Sequence, residues 1–298
     1  MKKNTFIAML VGLFAISFIL MSAHAQAKNI KVGVIDCYSG PAAVFGEDAL
    51  NGFKLALKEI NAKGVLGKKI EFFPRDTKFK VDIALNMAKE LVLRENVDIL
   101  VGTINSGAAL AVSEAVAKRE KVPFIAWISK SENITGKKGH RYVFSAGENT
   151  AMAGKSGGVA LAAKPYVKYW IAGDDYEYGH AIADAAWKNL KANKPEVKLI
   201  GKSWWKVGEP DLIPYITAIL SAKPDAVIFA TGGASMVNIM KTIKATGMAD
   251  KAGEASDRTR NRTRPQRKRP LRRWLCVCIG LPARVLRMGC CFVLSEGG

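Results

Sequence analysis

The 298-residue chain is 49% hydrophobic, enough for one large or two ordinary domains and too apolar for a disordered protein. Its formal net charge of +19 invites a nucleic-acid reading, but residues 253–298 hold 11 basic and 3 acidic side chains, and the rest carries a milder surplus. In that larger part lysines alternate with acids along runs such as LALKEINAKG, which are solvated faces before they are an anion-binding patch.

The N-terminus MKKNTFIAMLVGLFAISFILMSAHAQA has a basic head (Lys2, Lys3), an apolar stretch from Phe6 to Met21, and small-residue sites ending at Ala25 and Ala27. This reads as a cleaved secretory signal, with an uncleaved anchor as the alternative, so the mature product is expected to be soluble and periplasmic or otherwise exported. No later segment is long and apolar enough to span a bilayer.

From Ile30 onward the hydrophobic period switches repeatedly between that of a strand and that of a helix. Strands are expected at 30–36, 69–75, 97–102, 122–127, 142–146, 167–173, 197–203 and 225–231. Helices are expected at 47–62, 80–94, 107–119, 150–163, 179–193, 211–221 and 234–246. Such alternation predicts an α/β protein with parallel sheets covered by helices. One eight-stranded sheet would satisfy it, yet TGKKGHRYVFSAGENT interrupts the rhythm with loop residues. The first lobe is therefore placed at 28–147 and a second at 148–252, with no internal repeat visible beyond the shared rhythm.

In open α/β sheets ligands sit beyond the carboxyl ends of the strands, where helix N-termini present free N–H groups. The loop CYSGPAAVFGED after the first strand carries Phe45. GTINSGAALAV after the third places Ser106 and Gly107 at a helix mouth suited to a carboxylate, unless Ser106 is only a cap. ISKSENITGKKG after the fourth brings Ser129, Lys130 and Ser131. In AGDDYEYGHA, Tyr176 and Tyr178 are placed to close over a small amphipathic molecule, or else are ordinary loop packing.

Catalysis finds little support. His24, His140 and His180 lack metal-ligand spacing, and no phosphate loop, dinucleotide fingerprint or nucleophile elbow occurs. Cys37, the one cysteine before residue 253, leaves that part without an internal disulfide and reads as a small buried residue. No cofactor or metal is expected.

The runs IKVGVIDCYSGPAAVFGEDALNGFKLALKEINAKG, VDILVGTINSGAALAVSEAVAKREKVPFI, DDYEYG and KPDAVIFATGG resemble the periplasmic solute-binding proteins of the leucine/isoleucine/valine-binding type. The resemblance covers residues 1 to about 252. It implies two α/β lobes that close on a ligand by a hinge, delivery of an amino acid, amide or aromatic acid to the membrane permease of an ABC importer, and no nucleic-acid partner. It also implies that Ser106 holds the ligand carboxylate, with Gly107 beside it at the helix mouth. Ser129, Lys130 and Ser131 belong to a loop of further backbone contacts, Phe45 walls the pocket, and Tyr178 closes from the second lobe. Asn149 falls where leucine-type proteins have an acid, and Asn105 stands where their second cysteine would be, so the ligand stays open.

The resemblance stops near Gly253. Residues 1–252 contain 30 Lys and 4 Arg, whereas the last 46 contain 1 Lys, 10 Arg and four cysteines, Cys276, Cys278, Cys290 and Cys291. The expectation is an out-of-frame tail without ordered structure and a second lobe left incomplete. An Arg-rich arm for nucleic acid or an anionic membrane is the alternative. A ligand-sensing protein of the same fold is the other alternative to transport.

Overall fold

The structure is a computed structural model that describes residues 28–248 and the strand 276–278. The expected signal segment and most of the Arg-rich tail lie outside the described residues.

The first unit contains β1 (Ile30–Asp36), α1 (Ala43–Lys63), β2 (Ile70–Asp76), α2 (Val81–Leu93), β3 (Ile99–Gly102) and α3 (Ser106–Val112). A π-helical turn at Ser113–Ala117 leads into α4 (Lys118–Glu120), followed by β4 (Phe124–Ala126) and β5 (Val143–Ser145). The second contains α5 (Thr150–Ala162), β6 (Lys168–Asp174), α6 (Glu177–Asn193), β7 (Lys198–Trp205), α7 (Ile213–Ala222), β8 (Ala226–Ala230) and α8 (Gly233–Ala245). Elements thus form where the period switches, with ends shifted by a few residues.

Two separate sheets result, not one. The first has the order β2-β1-β3-β4-β5 and the second β7-β6-β8-β9, where β9 is Cys276–Cys278. Every ladder in both is parallel. The strand β9 corrects the expectation of a tail without ordered structure: it pairs Val227 with Cys276 and Phe229 with Cys278 along the edge of β8.

The central strands β1, β3, β6 and β8 are buried on both faces, which is why they read as largely apolar runs, whereas the edge strands β2 and β7 keep an exposed side. On β1, Val32 and Val34 pack with Val101 against Phe53 and Phe72 under α1. Ile35 points the other way, into a core with Leu100, Phe124, Leu91 and Val112 under α2 and α3. The second sheet repeats the arrangement. Ile171 and Ile228 pack with Leu161, Ile182 and Leu190 under α5 and α6, while Val227, Phe229 and Ala172 pack with Ile216, Ile219 and Ile239 under α7 and α8. Each such large aliphatic side chain, fully buried, stabilises the fold by about 1.5–3 kcal/mol.

The helices α5 and α6 approach unusually closely because α5 is lined with small residues. A Cβ on Gly158 would lie 2.6 Å from the Ala186 carbonyl oxygen and 2.8 Å from Leu190 N. Gly154 meets Ala185 in the same way. This contact seats α5 on the second sheet, although α5 follows directly on β5 of the first.

Candidate functional site

The carboxyl ends of the strands carry the loops that matter, and in each sheet a buried aspartate ties them together. Asp36 ends β1 and is fully buried. Its Oδ1 accepts from the amides of Cys37 at 2.7 Å and Ile104 at 2.8 Å, and its Oδ2 accepts from Trp127 Nε1 at 2.5 Å. One side chain therefore fixes the loops after β1, β3 and β4. Asp174 ends β6 and does the same in the second sheet, accepting from Trp205 Nε1 at 2.9 Å and from the Thr231 hydroxyl.

Burial pushes both carboxyls above their ordinary range. For Asp36 desolvation outweighs the lowering by the Ile104 and Cys37 amides and the Trp127 indole, and Asp76 nearby adds to the rise. For Asp174 desolvation outweighs Thr231, Ser235 and Trp205.

Asp76, at the end of β2, behaves oppositely. Desolvation would raise it, but the Ser39 hydroxyl at 2.6 Å and the amides of Lys78 and Tyr38, each at 2.9 Å, prevail and hold it low.

A second shared device sits one turn into the following helix. A Cβ on Gly46 of α1 would collide with the Cys37 carbonyl, and one on Gly179 of α6 with the Asp174 carbonyl. Phe45-Gly46 and Tyr178-Gly179 are thus equivalent aromatic-glycine pairs, an internal correspondence that the sequence reading did not register.

Helix α3 is capped by Asn105, not by Ser106. The Asn105 side chain accepts from Ala108 N at 3.1 Å and donates through Nδ2 to the Phe79 carbonyl at 2.8 Å. Ser106 is freed from capping and fully buried, and its Oγ accepts from the amides of Lys130 and Ser131, each at 3.3 Å. This joins the loops after β3 and β4. The Ser129 hydroxyl donates to the Thr103 carbonyl, an internal tie, and Lys130 pairs with Glu148.

Ser131, also buried, donates from Oγ to Glu177 Oε1 at 2.6 Å, and the same oxygen accepts from Asn133 Nδ2 at 2.8 Å. Glu177 opens α6, so these bonds run from the second sheet's unit to the first.

Two further contacts cross the same gap. Phe79 and Tyr176 have ring centroids 5.6 Å apart, and a Cβ on Gly233 would lie 2.9 Å from Phe45 Cε2. Gly107 lies by this crossing, where a Cβ would meet the Glu177 Cβ at 3.8 Å.

Of the eight expected site residues, Phe45, Ser106, Gly107 and Ser131 therefore gather where the two units meet, and Ser129 and Lys130 support the loop behind them. Asn149 caps α5 by accepting from Met152 N at 3.0 Å. It also lines a cavity of about 510 Å³ with Glu132, Asn133, Thr135, Gly136 and Lys137, beside the Asn133–Glu177 bond. Tyr178 packs on the second core and on Tyr176 at 5.9 Å, and Tyr176 reaches the first unit at Phe79. Burial first, then Tyr178 and Asp174, push the Tyr176 hydroxyl well above its ordinary range.

Sequence reasoning missed Asp36, Asn133 and Glu177. The signals were present: an aspartate closes the first strand of each half, and an acid stands at the first helical position in DDYEYG.

The arrangement can bind but is poorly equipped to react. Cys37 is buried, its thiol is pushed up by burial and then by Asp36 and Asp76, and its Sγ donates to the Ser39 carbonyl at 3.0 Å. Among the described residues no group of His, Cys, Asp or Glu is placed to hold a metal ion.

The family model described as periplasmic binding protein matches residues 29–256. A Leu/Ile/Val-binding protein from Citrobacter freundii is 26% identical over 244 residues, covering 81% of this chain and 64% of its own length. A Leu/Ile/Val-binding protein homolog 7 from Brucella suis is 34% identical over 122 residues, 41% of this chain and 30% of its own. Among solved structures, a solute-binding protein of an ABC transporter from Rhodopseudomonas palustris, in complex with 3,4-dihydroxybenzoic acid, superposes with a TM-score of 0.68 at 26% identity. It covers 76% of this chain and 60% of that one. The chain thus spans less than two thirds of the length of the relatives it matches. With the match running from 29 to 256, through β1 to β8 and every loop that meets at the site, the chain belongs to the periplasmic binding protein family.

Proposed function

We propose that this chain captures a small carboxylate-bearing molecule, an amino acid or an aromatic acid, between its two units and presents it to the permease of an ABC importer, without catalysing a reaction. The observation that carries this reading is the gathering of neutral donors on one side of the crossing: the Ser131 hydroxyl, the Asn133 amide, and the Ser106 hydroxyl, which already receives two amides from the neighbouring loop. Uncharged donors aimed at one place bind a carboxylate through charge-assisted hydrogen bonds while burying no counter-ion. Two aromatic rings flank the crossing, Phe45 from the first unit against Gly233 and Tyr176 from the second against Phe79, and they suit an apolar side chain or ring.

Relatives named for leucine, isoleucine and valine, and a structural neighbour holding 3,4-dihydroxybenzoic acid, support that range of ligands. The basic, apolar N-terminus supports export ahead of capture. Isothermal titration of the full chain with leucine, isoleucine, valine and 3,4-dihydroxybenzoate tests the proposal. Saturable one-to-one binding of at least one of them is expected, and no heat with any of the four would contradict it.

A further inference from the structure

The Glu177 carboxylate sits where the capture reading puts the carboxylate of a ligand. Its Oε1 takes the hydroxyl of Ser131 at 2.6 Å and the side-chain amide of Asn133 at 2.8 Å, both from the other unit, across 46 and 44 residues of sequence. These donors are neutral, and among the described ion pairs none involves Glu177. An acid at the first position of a helix is ordinarily satisfied by its own helix N-terminus. This one instead reaches away to the donor set that makes the site an anion site. Ser131, at 2% exposed, is buried at this contact.

We propose that Glu177 is a tethered stand-in for the ligand's carboxylate: it holds the two units together when no ligand is bound, and a ligand enters by displacing it from Ser131 and Asn133. The inference rests on the capture reading and adds to it a gate and a selectivity.

Because the latched form must open first, the apparent affinity for any carboxylate is reduced by the fraction of molecules latched. Only a molecule whose own carboxylate replaces the lost bonds displaces the latch efficiently. A ligand with an amide or alcohol at that end is disfavoured. Phe79 and Tyr176, 5.6 Å apart beside the latch, give the closed form an apolar contact that survives the exchange.

The test compares the full chain with Glu177→Ala and Glu177→Gln. Hydrogen–deuterium exchange of residues 129–133 is followed without ligand, and the affinity for leucine and 3,4-dihydroxybenzoate is measured by titration. Glu177→Ala is expected to exchange faster in that segment and to bind the carboxylate ligand at least about tenfold more tightly, the change that loss of even one bond to a charged acceptor implies. Glu177→Gln, which keeps an acceptor without the charge, should fall between and serves if the alanine variant fails to fold.

Binding that is unchanged or weaker in both variants would overturn the stand-in while leaving capture intact. Faster exchange with no binding by any of the three chains would overturn the capture reading and the stand-in with it. Unchanged exchange would show that Glu177 does not latch the units.

Discussion

Asp36 and Asp174 occupy the same place in the two halves of the molecule, each ending the first strand of its sheet and each accepting the indole N–H of a tryptophan, Trp127 and Trp205. The correspondence extends to the glycines of the following helices, Gly46 and Gly179, which allow each helix to lie on the carbonyl that leaves the strand. Both halves therefore build their ligand-side loops around a buried carboxylate, and those loops present Ser106 and Ser131 on one side and Tyr176 and Glu177 on the other.

Removing the hub should cost stability. Asp36→Ala leaves the amides of Cys37 and Ile104 and the Trp127 indole without their acceptor in a buried site, at a cost of about 3 kcal/mol. Urea unfolding followed by tryptophan fluorescence measures it. Asp36→Asn, which keeps one acceptor oxygen, should cost less.

The two first-sheet aspartates should also give opposite pH slopes. The folded pKa of Asp36 is raised above the ordinary 3.8, so its titration favours the fold below that value, and that contribution is lost as pH rises through the folded value. Asp36→Asn should therefore gain on the native chain as pH increases from about 4. The folded pKa of Asp76 is lowered, so its contribution is present above 3.8 and is lost as pH falls through the folded value. The deficit of Asp76→Asn should shrink toward acid. Urea midpoints between roughly pH 3 and 7 check both signs.

The close seat of α5 on α6 makes a steric prediction. Gly158→Ala puts a methyl group 2.6 Å from the Ala186 carbonyl oxygen, and the helix must move to relieve it. A loss of about 1–3 kcal/mol is expected, despite the higher helix propensity of alanine. Gly52→Ala on α1, where an added Cβ meets nothing within 4 Å, should not show it. Thermal unfolding of the two variants side by side decides the matter.

Much of this architecture was legible in the chain because period and burial speak to each other. IKVGVID and DAVIFAT are apolar over most of their length and form strands whose centres are covered on both faces. The loop-rich stretch before Tyr142 marked the end of the first sheet's helical connections. Part of the candidate site was legible. Ser106, Ser131 and Phe45 stand out because strand-end loops are where an α/β protein binds; Ser106 takes the Ser131 amide, and Phe45 faces Gly233 of the other unit.

The alternative that Ser106 is only a cap falls to Asn105: both are good capping residues, and only the backbone decides between them. Glu177 was passed over because a lone acid at a helix start is a common helix signal, and its partners lie more than 40 residues away. The strand at Cys276–Cys278 had no periodic signal at all, since three residues are too few to show one.

Ser106 connects the loops after β3 and β4, so Ser106→Ala should weaken ligand binding by about tenfold or more while leaving the amides of Lys130 and Ser131 without their shared acceptor. The accompanying loss of stability, about 1–2 kcal/mol, should leave the chain folded, so titration against circular dichroism separates the two effects.

The most direct measurement of the account is hydrogen–deuterium exchange of the full chain with and without saturating leucine or 3,4-dihydroxybenzoate. Capture between the two units predicts that protection rises together in residues 104–110, 129–133 and 175–179, which belong to both halves. Protection confined to one half, or none in these three segments, would contradict it.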